Sequence, residues 1–288
     1  MVTQNNIIQA EGFFPSENRW IFYRRFYSDN APKGEIVAIH DALEHSGRYE
    51  TLGIQLAKEG YNFYIFDLVG HGRSEGNRGY IHEFEDYLLD LANFYAFLKI
   101  HRNVDIPFLL GYGMGGLIAT MFCSWGRCPI RGLILSDALF GFKKNIPFYK
   151  KSILHILATL LPSFRFTDLF DTNILCHDMD IITDFLTDPN VQHTVNARWL
   201  SIILKTLAKV HNITNKILVP TLVFHGEDDR IYDIEMSKQV FTEFATRNKE
   251  FFVVKNAYHE IFNEPSRGEL IEKLVNWMNA CPKESIKN

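Results

Sequence analysis

A glycine-rich turn near the middle of the chain has the spacing of a catalytic motif but lacks its reactive side chain. Residues 107–116 read PFLLGYGMGG, an apolar strand that runs into a glycine-rich turn and then a helix. This pattern matches the nucleophile elbow, G-x-S-x-G, in which a sharp turn between strand and helix presents a serine hydroxyl. Gly111 and Gly115 fit the motif, whereas Gly113 stands where the serine would be. We therefore expect the frame of a nucleophilic enzyme without its nucleophile.

An acid and a histidine follow two later predicted strands, in the chain order Ser…Asp…His that such enzymes often use. The segment HGEDDR, residues 225–230, contains Asp228 and Asp229, and His259 comes just after the last predicted strand. In a triad the histidine transfers the proton of the nucleophile, and the acid orients the histidine. Either aspartate could instead cap a helix or close a turn, and this alternative is stronger for Asp228.

Strands and helices alternate through most of the chain, which predicts an α/β fold with a mainly parallel sheet covered by helices on both faces. Helical spacing of apolar residues predicts helices near residues 49–58 and 84–99. Short apolar runs predict strands at residues 20–26, 35–40, 61–66, 107–111, 132–136, 220–225 and 251–254.

The alternation stops between residues 138 and 214, which we interpret as an inserted helical cap or lid. The core then comprises residues 1–137 and 215–288. Residues 152–161 of the cap read SILHILATLL and follow Lys150 and Lys151. This helix could face the core, or it could lie at a lipid surface with its apolar side inward.

Four motifs resemble those of the α/β-hydrolase superfamily, specifically its monoacylglycerol lipase and lysophospholipase branch. They are EHSGRY at residues 44–49, GHGRSEG at 70–76, GMGG at 113–116 and YHEIFNEP at 258–265. The motifs occur in the expected order and span nearly the whole chain. The resemblance implies an α/β-hydrolase fold with a helical cap, a serine-type ester hydrolase as the ancestral activity, and a monoacylglycerol or a lysophospholipid-like molecule as ligand.

The resemblance also implies a role for individual residues. Asp229 would be the triad acid and His259 the base, and Gly113 would occupy the nucleophile position. The backbone amides of Ala42 and Met114 would form the oxyanion hole. Loss of a triad nucleophile costs about a millionfold in turnover in a well-studied protease, so we expect this chain to be inactive as an ester hydrolase.

A second departure lies in the oxyanion loop, where the family has His-Gly and this chain has His40-Asp41. A carboxylate at Asp41 opposes the negative charge that the hole must stabilise. Two hypotheses follow: an enzyme disabled by deliberate replacement of the serine, or a natural pseudoenzyme that binds lipid or a protein partner. Asp41 favours the pseudoenzyme, because a deliberate knock-out would leave the oxyanion loop alone.

A remote alternative is a dinucleotide-binding protein. Residues 111–116 also satisfy G-x-G-x-x-G after a strand, and Asp137 follows about twenty residues later, at the spacing of a ribose-binding acid. The motif is weak here because several strands precede it and because it explains none of the other motifs.

Net charge, cysteine spacing and the length of apolar runs limit the classes of partner, cofactor and cellular location that we expect. The net charge of −4 among 288 residues gives no reason to expect nucleic acid as a partner. The four cysteines lack metal-ligand spacing, so we interpret them as reduced thiols and expect no metal site. No cofactor is expected either. No apolar run approaches the ~20 residues of a membrane span, and the first residues do not resemble a signal peptide. These features predict a cytoplasmic protein, with possible peripheral membrane contact through the cap.

Overall fold

An eight-stranded sheet forms the centre of the computed structural model, which describes residues 7–144, 147–167 and 172–282. The strands in this part of the chain are β1 (Ile7–Ser16), β2 (Arg19–Ser28), β3 (Gly34–Ile39), β4 (Tyr61–Phe66), β5 (Phe108–Tyr112), β6 (Gly132–Ser136), β7 (Arg165–Thr167), β8 (Thr194–Asn196), β9 (Thr221–Gly226) and β10 (Lys249–Val254). The large sheet has the order β1-β2-β4-β3-β5-β6-β9-β10, and β7 pairs with β8 separately.

The direction of the strands decides where the loops meet. β1 and β2 are antiparallel to each other, and β2 is antiparallel to β4, whereas all remaining pairs in the large sheet are parallel. The carboxyl ends of β3, β5, β6, β9 and β10 therefore lie at one edge. In sheets of this type that edge is where ligands bind. The loops that follow these strands carry every residue to which the sequence assigned a chemical role.

Helices cover both faces of the sheet, as predicted. The helices in the described residues are α1 (Glu50–Lys58), α2 (Glu85–Arg102), α3 (Met114–Trp125), α4 (Phe148–Leu160), α5 (Met179–Thr187), α6 (Ala197–Leu207), α7 (Ile234–Glu243) and α8 (Arg267–Ala280). Alternate residues of the buried strands point to opposite faces. Val37 and Leu109 pack with α2 and α3 on one face, whereas Ile36 and Leu110 pack with α1 and α8 on the other.

The segment predicted as a cap, residues 138–214, holds α4, α5, α6 and the short β7–β8 ribbon. Its boundaries remain a prediction. Helix α4 covers most of the predicted residues 152–161, and its two sides differ, with Leu154 buried and Ile156 and Leu160 exposed. The side chain of Lys151 lies outside the described residues, as do residues 1–6 and 283–288.

Within the described ranges, no helix combines the length and the apolar character needed to cross a membrane.

Candidate active site

The predicted elbow is present as a tight turn between β5 and α3. Gly113 has φ 47° and ψ −114°, a conformation that glycine adopts far more readily than other residues. Its N–H donates to the carbonyl of Ser136 at 2.9 Å. A Cβ on the neighbouring Gly115 would lie 2.3 Å from the carbonyl oxygen of Ile39. Glycines here therefore permit both the turn and the close approach of the helix to β3.

The structure brings the predicted acid and base together. His259 Nδ1 lies 2.9 Å from Asp229 Oδ2. The other oxygen, Asp229 Oδ1, accepts the backbone N–H groups of Ile231 at 2.7 Å and Tyr232 at 3.1 Å, which fixes the carboxylate. Both side chains are buried, whereas Asp228 is exposed. Asp229, the residue that the resemblance indicated, is therefore the aspartate that contacts the histidine.

The side chain of Asp41 turns into the space between this histidine and the elbow. Its Oδ2 atom lies 2.9 Å from His259 Nε2, and its Oδ1 atom accepts the backbone N–H of Met114 at 2.5 Å. The hydroxyl of Tyr232 also donates to Oδ1, at 3.1 Å. The sequence had indicated only that a carboxylate would lie near the oxyanion loop. In the structure this carboxylate itself accepts the hydrogen bond from the Met114 N–H, the group that was predicted to stabilise an oxyanion.

The space taken by Asp41 is the space next to Gly113. A Cβ built on Gly113 would lie 2.1 Å from Asp41 Cγ and 2.1 Å from Asp41 Oδ1. Such distances are far below van der Waals contact, so position 113 cannot carry any side chain while Asp41 keeps this rotamer. The Asp41 carboxylate thus occupies the place from which a side chain at position 113 would reach His259.

His259 lies between two carboxylates, and this determines its charge. Burial alone lowers the pKa of an imidazole, but the adjacent Asp229 and Asp41 outweigh it and raise the pKa of His259 well above its usual range. Burial likewise favours the neutral form of Asp229, yet the facing histidines hold the pKa of that carboxyl below its usual value. His259 is then an imidazolium at neutral pH that donates from both nitrogens, and it cannot accept a proton in this state.

Two further ionisable residues lie behind the pair. His225 Nε2 is 3.4 Å from Asp229 Oδ2, and His225 is fully buried. Asp137 accepts the backbone N–H of Gly226 at 2.8 Å, and its burial raises the pKa of its carboxyl to about 7. The site therefore continues inward from Asp229 as a buried group of acids and imidazoles. Asp137 follows the end of β6, and His225 lies at the end of β9. Its position at the end of a predicted strand is the feature by which the sequence could have indicated His225 as a site residue.

Ligand atoms of Asp137, Asp229 and His259 lie within 4.8 Å of one another, a spacing compatible with a metal ion. However, Asp229 already bonds His259 and two backbone amides. The arrangement therefore has a complete explanation as an acid–base group.

The proposed dinucleotide role of Asp137 is not supported. Asp137 is fully buried, and it accepts hydrogen bonds from the Gly226 amide and the Ser136 hydroxyl. A ribose hydroxyl could not reach this carboxylate without disrupting the sheet edge. The G-x-G-x-x-G pattern reflects the close packing of α3 on β3 and β5 instead.

A small cavity lies in front of Asp41 and His259. Its volume is about 40 Å³, enough for only a few water molecules. Ala42, the second predicted oxyanion residue, lines this cavity. Arg48 also lines it and bonds to Glu44 at 2.9 Å and to Glu260 at 2.6 Å, which joins two of the recognised motifs across the site.

The third motif supports the site from behind. One oxygen of Asp67 accepts the backbone N–H of Ser46, and the other accepts that of Arg73, both at 2.7 Å. The Ser74 hydroxyl donates to the carbonyl of Asp67 and accepts the N–H of Phe22, a structural role. Asp67 thus ties the loop at residues 70–76 to the motif at residues 44–49.

The mainly parallel sheet, the elbow and the acid–histidine pair at its carboxyl edge define an α/β-hydrolase fold. The chain belongs to the Hydrolase_4 family, described as serine aminopeptidase, S33, whose model matches residues 30–266.

Individual relatives and solved structures match this chain over most of its length. Phospholipase YtpA of Bacillus subtilis is 32% identical over 84% of this chain and 93% of its own length. The crystal structure of a monoacylglycerol lipase from Paleococcus ferrophilus superposes with a TM-score of 0.79 at 25% identity, covering 96% of this chain and 99% of that one. A soluble variant of the Saccharomyces cerevisiae monoglyceride lipase, in complex with a substrate analog, has a TM-score of 0.83 at 21% identity, covering 96% and 97%. This chain therefore lies among the monoglyceride lipase and lysophospholipase-like α/β-hydrolases.

Proposed function

We propose that this chain performs no serine-dependent ester hydrolysis. The observation that carries the proposal is the position of the Asp41 carboxylate, which fills the nucleophile's space beside Gly113 and takes the amide of Met114. An ester carbonyl would need that amide for its developing negative charge. A bound carboxylate excludes the carbonyl and repels the charge.

We further propose that the protein is a natural pseudoenzyme with respect to this reaction. Gly113 and Asp41 are complementary, because the carboxylate fits only where position 113 lacks a Cβ. A serine replaced in order to disable an enzyme would leave an empty space. Here the space is filled by a side chain that bonds to His259, Met114 and Tyr232.

The ligand that we propose for this pseudoenzyme is a single-chain lipid of the monoacylglycerol or lysophospholipid class. A cleft of about 610 Å³ lies against helices α4, α6 and α7, within the size range of small-molecule sites. Its walls are largely apolar and include Phe140, Phe142, Leu154, Leu204 and Met236. The relatives named as phospholipase and monoacylglycerol lipase support this class of ligand.

The absence of serine chemistry is tested with a fluorophosphonate probe and with short-chain nitrophenyl esters. We expect neither labelling nor turnover, because both require an activated hydroxyl. Stoichiometric labelling of any residue between 107 and 120 would contradict the proposal.

Native mass spectrometry with added 1-monopalmitoylglycerol tests the lipid site. If no lipid binds at millimolar concentration, lipid binding is wrong and a protein partner becomes the remaining hypothesis.

A further inference from the structure

We propose that the cleft of about 610 Å³ beside α4, α6 and α7 (the lipid cleft) selects a single-chain lipid whose head group is a phosphate monoester, as in a lysophosphatidate. This inference rests on the proposed function, because it chooses the head group of the lipid that the cleft would hold. Neither Asp41 nor His259 lines the lipid cleft. The selection of the head group is therefore separate from the disabled hydrolytic site.

Acidic residues are missing from the two stretches of sequence that form most of the lipid cleft. Aspartate and glutamate account for 34 of the 288 residues, and the net charge of the chain is −4. Residues 138–167 and residues 189–226 nevertheless contain neither aspartate nor glutamate, and their strongly charged side chains are all lysine or arginine. A chain that is acidic as a whole therefore carries a locally cationic region.

The fold brings these two stretches together at the lipid cleft. Helix α4 belongs to the first stretch and α6 to the second, and the two helices pack against each other. Leu154 of α4 and Leu204 of α6 form part of the apolar wall. Lys144, which precedes α4 in the chain, and Lys205, in the last turn of α6, line the same cleft. Apolar surface and positive charge therefore meet in one site.

The ammonium groups of these two lysines are not neutralised by a carboxylate of the described residues. The lysine ion pairs within residues 7–144, 147–167 and 172–282 involve Lys99, Lys238 and Lys273. Lys144 and Lys205 are both exposed and are not among them. Within this part of the chain, their charges remain available to an anion that enters from outside.

The other ionisable groups of the lipid cleft do not reverse this charge. One acid, Asp233, lines it, and the Asp233 carboxylate accepts the backbone N–H of Glu235 at 3.1 Å and so caps the N-terminus of α7. That position offsets the negative charge against the helix dipole. His155 and His211 also line the cleft, and Nδ1 of His211 lies 2.9 Å from the carboxylate of Glu243. The two lysines therefore dominate the charge that a ligand meets.

The charge of these lysines distinguishes among single-chain lipids. A phosphate monoester carries about −1.5 to −2 at neutral pH, which matches two ammonium groups, and lysine binds phosphate as a point charge. A monoacylglycerol has no charge to offer, and in a lysophosphatidylcholine the quaternary ammonium cancels the phosphate. Burial of the acyl chain against Phe140, Phe142 and Leu154 would stabilise all of these lipids alike. Electrostatic complementarity then provides the specificity.

The test compares ligands on the full-length protein by isothermal titration calorimetry, each below its micelle-forming concentration. The ligands are 1-palmitoyl-lysophosphatidate, 1-palmitoyl-lysophosphatidylcholine, 1-monopalmitoylglycerol, palmitate and glycerol 3-phosphate. We expect the lysophosphatidate to bind at least about tenfold more tightly than either lipid of zero net charge, with palmitate between them. Glycerol 3-phosphate should bind at least about tenfold more weakly than the lysophosphatidate, because it has no chain to bury.

Salt and substitution provide independent readouts. Raising the salt concentration from about 0.05 M to about 0.3 M should weaken the binding of lysophosphatidate but not that of monopalmitoylglycerol, because salt screens exposed charges. The double variant Lys144→Gln with Lys205→Gln should lose at least about tenfold in affinity for lysophosphatidate and should bind monopalmitoylglycerol as the wild type does. Lys58→Gln is the matched control, since Lys58 is an exposed lysine of α1 outside the cleft. Circular dichroism checks that each variant is folded.

The outcomes separate this proposal from the proposed function. The head-group proposal is wrong if a lipid of zero net charge binds as tightly as the lysophosphatidate, or if the double variant binds the lysophosphatidate as the wild type does. Either result would leave the lipid site itself intact, whereas binding of no lipid would remove both. Equal binding of glycerol 3-phosphate would make the cleft a site for free phosphate. If lysophosphatidate is bound only as a minor component of phosphatidylcholine vesicles, the two basic stretches are a membrane contact instead.

Discussion

The carboxyl group of Asp41 and the missing side chain of Gly113 occupy one and the same position in the molecule. An added Cβ at Gly113 would fall 2.1 Å from Asp41 Cγ. The rotamer of Asp41 therefore depends on the absence of atoms at position 113, and the residue allowed at position 113 depends on Asp41. Neither residue can be interpreted alone.

Restoring a serine without removing Asp41 should destabilise the fold. The side chain of Gly113→Ser would collide with Asp41. The substitution also places a serine at a φ of 47°, which serine tolerates poorly. We expect a loss of roughly 2–4 kcal/mol in the free energy of unfolding, measured by urea denaturation. Gly268→Ser is the matched control, since no atom lies within 4 Å of a Cβ there. Equal stability of Gly113→Ser and the wild type would contradict the observed position of Asp41.

Esterase activity should require two changes together. Gly113→Ser with Asp41→Gly supplies a hydroxyl near His259 and frees the Met114 amide. We expect this double variant to exceed Gly113→Ser by at least about tenfold in kcat on nitrophenyl esters, or about 1.4 kcal/mol. Asp41→Gly alone should show no esterase activity. If the single serine variant equals the double variant, Asp41 does not block the oxyanion site.

The charge of His259 should be visible by NMR. Its pKa lies well above the usual value because Asp229 and Asp41 both stabilise the imidazolium. We expect its Cε1–H resonance to stay in the charged position between about pH 5 and 8 in the wild type. In Asp41→Asn the resonance should titrate at lower pH.

The raised pKa of His259 also makes the stability of the fold depend on pH. The raised pKa stabilises the folded state fully below about pH 6.5, and this contribution is lost as the pH rises through the folded-state value. The stability advantage of the wild type over Asp41→Asn should therefore shrink at alkaline pH. A wild-type His259 that titrates near pH 6.5 would overturn the assignment.

The free energy of unfolding should fall as the pH rises through the range in which Asp137 ionises, because its carboxylate form is disfavoured by burial. Its pKa in the folded state is about 7, because burial disfavours the charged form. An unfolded chain ionises it near pH 4, so stability is lost between about pH 4 and pH 7. Asp137→Asn avoids this loss and should gain on the wild type over that interval in chemical denaturation. The exposed Asp228→Asn should show no such gain, and a parallel response of the two variants would refute the prediction.

The exposed side of α4 should mediate contact with a lipid surface. Ile156 and Leu160 are 56% and 72% exposed on this helix. Their joint replacement by serine should reduce sedimentation with phosphatidylglycerol vesicles, because apolar area that would enter the interface is removed. Ile100→Ser is the control, as Ile100 is 73% exposed on α2. If all variants and the wild type sediment equally, α4 is not the contact.

Much of the fold could be predicted because its signals are local. The buried strands appear as short apolar runs, and the structure has β3, β4, β5, β6, β9 and β10 within a residue or two of the predicted ranges. Strand β1 was not predicted. It contains Gly12 and Pro15 and is defined by its antiparallel pairing with β2, which is a tertiary interaction.

The site could be predicted only in part, because some of its contacts join residues that are far apart in the sequence. Asp229 and His259 follow strands that end at one edge, so their approach follows from the topology. The direction of the Asp41 side chain does not, since it depends on a partner 218 residues away and on empty space beside Gly113. The placement of His225 against Asp229 likewise arises from the fold and not from a motif.

The interlock of Asp41 and Gly113 also fixes the order in which the two residues can change. An aspartate could adopt this rotamer only after position 113 had lost its side chain, because a Cβ there excludes it. Once the carboxylate is in place, a return to serine meets a steric barrier unless residue 41 changes first. If the protein is a natural pseudoenzyme, as we propose, the two changes are irreversible one at a time: no single substitution at position 113 restores a serine that can reach His259.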